Sequence, residues 1–433
     1  MTGITDAFVQ LGATRDGLDS YLECAKRRAM PAVLVDTPAM LKWRQRLRRH
    51  AYDVEIPVTA PEDTEQVAAA LHAARIAPAL TLAGFDRYVQ SAFRLAARER
   101  IPPWPHCGTG FTAPDKAAQR MALAVHAPAV PQPGYARVQV YPDRHEPAAA
   151  ATTGNRRVRA PVLEALTFPQ VVKPVDGAGG IGVFLVRDVS QREHALRAVS
   201  ATCNYGGAAF AGVLVEECVK GTEYSLQCLA WEGTARVLSV CEKIVLLDGA
   251  GALRGFREAG HIALPGTSAP QALHELAQSC LDASGYREGP FHVDLIHNVK
   301  GPHFLEMGFR LSGFGLVTLV ERATGIQWAE AAFAAHLERR APQQEANGTR
   351  RVAGQFVATD PRQLARAHEL AARRPGVLVR PSPAAPSEDG FSAHELESLA
   401  SDRQRHATIL GRVTLEGDSK DEVRALLRHC VTV

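Results

Sequence analysis

The chain has 433 residues, 46% hydrophobic and 22% charged, an ordinary globular composition with room for about two to four domains. Its 49 basic and 46 acidic residues leave a formal charge of +3, and that near-balance argues against a dedicated nucleic-acid binder. Eight cysteines without a C-x-x-C pair show no zinc module or redox pair, and no apolar run approaches the ~20 residues that span a bilayer. The first ten residues, MTGITDAFVQ, lack a basic stretch followed by an apolar one, so a reduced cytoplasmic protein is expected.

In chain order, a helix is predicted around residues 18–28 and a buried strand at PAVLVD, Pro31–Asp36. The basic run KWRQRLRRH, Lys42–His50, reads as a solvated helix face. A second strand is predicted at ALTLAGF, Ala79–Phe85, with a helix running from it to Arg100. Strand–helix alternation of this kind predicts a parallel α/β sheet, with LGATRDG as a plain strand-to-helix turn in preference to a phosphate-binding one. Residues 128–154 are rich in Pro and Ala and read as an exposed connection. From Phe168 to about Val240 short β runs dominate, interrupted by one helix near 190–202, the pattern of a small α+β lid. Polar, proline-rich stretches at 341–350 and 380–389 set off a small C-terminal unit.

The most informative segment is FPQVVKPVDGAGGIGVFLVRD, Phe168–Asp188. Gly177, Gly179 and Gly182 satisfy G-x-G-x-x-G, but the loop runs into a strand, whereas a dinucleotide site needs a helix there to meet the pyrophosphate. Strand–glycine loop–strand instead suits a hairpin whose N–H groups close over phosphates. Lys173, in the strand leading in, is placed to meet a phosphate oxygen.

The second constellation is PFHVDLIHNVKGPHFLEMGFRLSG, Pro290–Gly313, a hairpin turning at NVKGP. Counting outward from the turn sets Asp294 opposite Glu306 on one face. Two facing carboxylates repel, and a divalent cation such as Mg²⁺ would relieve that repulsion. Arg310, four residues on, suits an anionic substrate group or the developing charge of a phosphoryl or acyl transfer. Solvent-facing acids with a surface ion pair are the bland alternative. A zinc site at His292, His297 and His303 is a third option whose spacing matches no familiar zinc pattern.

Together these segments resemble the ATP-grasp superfamily, over about half the chain from Ala113 to Ala335. The resemblance implies an α/β and α+β architecture in three parts. Residues 1–112 would form a Rossmann-like pre-ATP-grasp domain, 113–340 the ATP-grasp domain with a mobile lid at about 165–215, and 341–433 a C-terminal domain. APDKAAQRMAL resembles the segment where an Asp-Lys pair opens a helix, so Lys116 and Lys173 would contact ATP phosphates beneath Gly177, Gly179 and Gly180. GVLVEECVKGTEYSLQ resembles the nucleotide hinge, with Glu216, Glu217 and the backbone at Val219 at the adenine and Glu223 at the ribose. Asp294 and Glu306 match the family's Mg²⁺ ligands and Arg310 the arginine of E-x-N-x-R, but the asparagine position is Gly308.

CEKIVLL and FREAGHIALPG look like the region after the hinge in L-amino-acid (dipeptide) ligases, with Glu258 and His261 facing an acceptor pocket along with Phe309, Leu311 and Phe314. The resemblance therefore implies an ATP-dependent carboxylate–amine ligase acting through an acyl phosphate on an amino acid or similar small carboxylate and an amine, and a homodimer. Its rivals are an ATP-grasp carboxylase, an amino-sugar or carrier-acyl ligase, and a non-catalytic nucleotide-binding protein.

Overall fold

The computed structural model describes residues 3–16, 18–103, 111, 114–139, 151–153, 156–158, 161–248, 253–342 and 351–431. Ala113, most of residues 140–154 within the Pro- and Ala-rich stretch, and most of residues 341–350 lie outside the described residues.

The N-terminal part is a parallel sheet of β1 (Ile4–Leu11), β2 (Ala32–Asp36), β3 (Val54–Pro57) and β4 (Ile76–Ala83), in the order β3-β2-β1-β4. Helices α1 (Ser20–Arg27), α2 (Pro38–Arg46), α3 (Thr64–Ala73) and α4 (Val89–Glu99) accompany the strands. β2 is buried throughout, as expected for a strand covered on both faces. After β1 the chain turns at Gly12, whose φ of +79° suits glycine; a Cβ there would lie 2.3 Å from Tyr88 Cδ2. The basic run is not simply a solvated face. Arg44 on α2 is buried and meets Asp19 at 3.2 Å, while Trp43 packs inward beside it. An arginine can be buried when a carboxylate and a carbonyl, here that of His50, satisfy its fork.

Helix α5 (Lys116–His126) follows, with Asp115 capping it by accepting from Ala118 N. The stretch read as an exposed connection carries β5 (Tyr135–Val138), which pairs with β10 and buries Ala136 and Val138 completely. That expectation fails because the alternation of Ala136 and Val138 with Tyr135 and Arg137 is only four residues long, and its partner strand lies far along the chain. The short strands β6 (Ala151–Thr153) and β7 (Arg156–Val158) pair with each other, and helix α6 (Pro161–Glu164) precedes β8 (Gln170–Pro174), β9 (Phe184–Val186), α7 (Val189–Ser200) and β10 (Val213–Glu217). Val172, Val186, Leu196, Val199 and Val215 form a core of their own between these strands and α7.

The long strands β11 (Thr222–Trp231), β12 (Thr234–Asp248) and β13 (Arg254–Pro265), with β14 (Gly289–Asn298) and β15 (Gly301–Gly308), extend the same sheet in the order β15-β14-β11-β12-β13-β9-β8-β10-β5. Helix α8 (Gln271–Ser284) joins β13 to β14, and α9 (Leu316–Thr324) and α10 (Trp328–Glu338) follow the hairpin. The last part comprises β16 (Val352–Ala358), α11 (Pro361–Arg373), β17 (Leu378–Pro381), α12 (Ala393–Ser398), α13 (Ala400–Thr408), β18 (Gly411–Gly417) and α14 (Lys420–Val431). It has its own core around Phe356, Val413, Leu415, Val423 and Leu427, yet β16 pairs with β13, so it continues the central sheet. No described helix is long and apolar enough to cross a membrane.

Candidate active site

The sheet's period of two decides what the β14–β15 hairpin presents to the cleft. Asp294 pairs directly with Glu306, and His292 with Gly308. Each acid is neutralised by its own lysine. Glu306 meets Lys116 Nζ at 2.8 Å, and Asp294 accepts from Lys243 Nζ and from Ser225 Oγ. Burial alone would raise the Glu306 carboxyl, but Lys116 holds it well below the usual carboxylate range. Lys243 is the hub: it also reaches Glu223 at 3.0 Å and Glu258 at 3.5 Å. Burial opposes its charge, and three carboxylates outweigh burial and raise its pKa well above the ordinary lysine value.

Lys116 also donates to Gly177 O at 2.7 Å, tying helix α5 to the glycine loop. In that loop Gly179, at φ +65°, and Gly180, at φ +76°, hold the left-handed backbone that brings the loop over the cleft, in line with its strand–loop–strand context. Lys173 lies at 2.6 Å from Glu216, which is clamped from the other side by the fully buried Arg120. Burial lowers the Lys173 pKa despite Glu216, with Arg120 and Lys116 adding to the shift.

Three expectations change here. The Glu216 carboxylate is committed to Arg120 and Lys173 and is not open toward an adenine, whereas Glu217 accepts from Thr167 N and Oγ1 through one oxygen only. Glu217 and the polypeptide at Cys218 and Val219 are left to supply any such contact. His261 is fully buried, 3.0 Å from Glu258 and edge-on to Phe314, and it lies behind the cavity wall. Phe309 likewise packs into an aromatic cluster with Phe93, Phe111 and Tyr286. Glu258, Leu311 and Phe314 do line the cavity, whose volume is about 980 Å³, as do Lys116, Gly177, Gly179, Gly180, Asp294, Glu306 and Arg310. Glu258 is held far below the ordinary carboxylate range: burial pushes it up, and Lys243 and His261 more than reverse that.

Arg310 pairs with Asp86 of the N-terminal part and donates to Leu311 O. The sequence reading missed Asp86, Lys243 and Arg15. Lys243 alone carried a local signal, the same lysine-in-an-apolar-strand pattern that marked Lys173.

Two facing carboxylates beside a lysine-lined cleft suit Mg²⁺, which takes one or two carboxylates and completes its shell with phosphates and water. At the asparagine position the His292 ring fills the space: a Cβ on Gly308 would stand 2.3 Å from His292 Cε1. Among the described residues no cluster of three or more His, Cys, Asp or Glu is set to hold a metal, so the three histidines do not form a zinc site.

Residues 148–314 match the ATP-grasp domain family. Carnosine synthase 1 of Gallus gallus is 33% identical over 162 residues, 35% of this chain and 17% of that protein. Dapdiamide A synthase of Enterobacter agglomerans is 24% identical over 160 residues, 36% of this chain and 37% of its own. The chain thus spans well under half the length of either. In three dimensions it superposes on an L-amino acid ligase from Bacillus licheniformis with a TM-score of 0.67 at 18% identity, covering 99% of this chain and 98% of the other.

Proposed function

From an ATP-grasp fold with this cleft, we propose that the protein is an ATP-dependent carboxylate–amine ligase that forms an amide through an acyl phosphate and releases ADP and phosphate. The observation that carries this reading is the pairing of Lys116 with Glu306 and of Lys243 with Asp294 in the wall of one cavity, with the Lys173–Glu216 pair in the strands that flank its glycine loop. Cations already poised among acids can exchange a carboxylate for a phosphate oxygen with little reorganisation.

In the first step a substrate carboxylate oxygen attacks the γ-phosphorus and the β–γ bridging oxygen leaves with ADP. An amine nitrogen then attacks the acyl carbon and inorganic phosphate departs. Lys116 and Lys173 position the phosphates, and Arg310 faces the transferring group. Asp294 and Glu306 would hold Mg²⁺, which supplies charge neutralisation for the phosphates. The glycine loop excludes water that would hydrolyse the acyl phosphate. Amino acids as substrates, a homodimeric assembly and a cytoplasmic setting belong to the same reading. The seven cysteines among the described residues, all of them free, fit that setting.

The test is ADP release that requires both a carboxylate and an amine, with Lys173→Ala and Glu306→Ala each abolishing it while melting as folded proteins. Near-normal turnover in either variant would sink the assignment. Release on adding bicarbonate alone would point to a carboxylase instead.

A further inference from the structure

The loop after β1 places Arg15 in the wall of the cavity, on the side closed by helix α13. Its side chain is only 8% exposed. A buried guanidinium normally spends its donors on a carboxylate or on carbonyls. Here Nε and Nη1 have no hydrogen-bond partner among the described residues. Asp402 on α13 is 3.9 Å away, too far for a hydrogen bond, and contributes charge alone. Asp36, the other acid that acts on it, is engaged by Ala13 N, Thr37 N and the Tyr88 hydroxyl. The guanidinium lies over the Phe85 ring at 4.6 Å, which fixes its plane without using a donor. Arg310 Nε and Ser312 Oγ, also in the cavity wall, are likewise buried without hydrogen-bond partners among the described residues. Orphaned buried donors cost free energy, and a set of them around one cavity marks the place of a polar ligand.

We propose that Arg15 binds the free carboxylate of the acceptor, so that the amine substrate is an amino acid and not a plain amine. This rests on the ligase reading above. In such a reaction the donor's carboxylate is consumed at the phosphate end, beside Lys116 and Glu306. A second anion that survives the reaction belongs on a different group, and an acceptor carrying both an amine and a carboxylate supplies it. A planar fork over an aromatic ring suits bidentate capture of a carboxylate.

The experiment has two stages. First, the twenty common amino acids are screened as donors with ATP and hydroxylamine, which traps the activated acyl group without any acceptor. Failure of every donor there counts against the ligase reading itself and leaves nothing for Arg15 to discriminate. Second, with the best donor, the best amino-acid acceptor is compared with its own carboxamide, whose amino group is the more readily deprotonated. The native protein is expected to favour the acid in kcat/KM by on the order of tenfold to a hundredfold, the worth of a hydrogen-bonded charge. Arg15→Met should erase that ratio, and Arg15→Lys should restore part of it. The ratio is taken within each variant, so a general loss of activity cancels. Equal use of acid and carboxamide by the native protein overturns the proposal. So does an Arg15→Met defect confined to the donor's KM in the hydroxylamine reaction, which would put the anion on the donor.

Discussion

Replacing Gly308 by alanine adds a single methyl group at the position where the related ATP-grasp motif carries asparagine. That methyl would stand 2.3 Å from His292 Cε1 and 2.7 Å from Nε2, so the imidazole must swing away. His292 is 9% exposed, and its Nδ1 lies 3.4 Å from Arg310 O, so the displaced ring gives up both packing and that contact. Overpacking of this kind costs about 1–3 kcal/mol. The backbone at Gly308 is ordinary strand and contributes no strain of its own. Equilibrium urea denaturation of the native chain, Gly308→Ala, His292→Ala and the double variant closes a thermodynamic cycle. The two substitutions should couple by roughly 1–2 kcal/mol, the double variant being more stable than the sum of the singles predicts. Gly308→Asn, the motif's own residue, should be tolerated only where His292 has been truncated. A Gly308→Ala variant as stable as the native chain, or strict additivity, would refute the view that His292 occupies the asparagine's space.

Two further outcomes follow from buried charge. Glu216→Gln leaves Arg120 and Lys173 without their shared acid in a site where Arg120 is wholly buried, and denaturation should show a loss of about 3–5 kcal/mol; a loss below ~1 kcal/mol would mean the cluster is solvated. Burial pushes His336 down from 6.5 to about 4, so the folded protein keeps this ring neutral while the unfolded chain takes up a proton near pH 6.5. Its contribution is complete above about pH 7 and is lost as pH falls from 6.5 to 4, by about 3 kcal/mol. The fall in stability between pH 7 and 4.5 should be correspondingly smaller in His336→Gln, and an unchanged fall would remove His336 from the acid response.

Local pattern was enough to place the chemistry along the chain. The hairpin turn and the two-residue period put Asp294 across from Glu306, because register near a tight turn is set within a few residues. The same holds for Lys173 before its glycine loop, and for Asp115 capping the helix that carries Lys116. These features rest on neighbours in sequence, so the sequence states them directly.

Partner choice is different. Arg310 meets Asp86 across 224 residues, and Glu216 meets Arg120 across 96. Nothing within a few positions of either residue encodes those pairings. β5 is hidden for the same reason: a four-residue alternation becomes a strand because β10 supplies the other half of the ladder. The family resemblance puts His261 and Phe309 in the pocket, yet packing against Phe314 and the aromatic cluster turns both inward. Periodicity and turn chemistry are paid for locally and can be read locally. Which charge neutralises which, and which donor is left open for a ligand, is settled only when distant elements close around one cavity and exclude water from it.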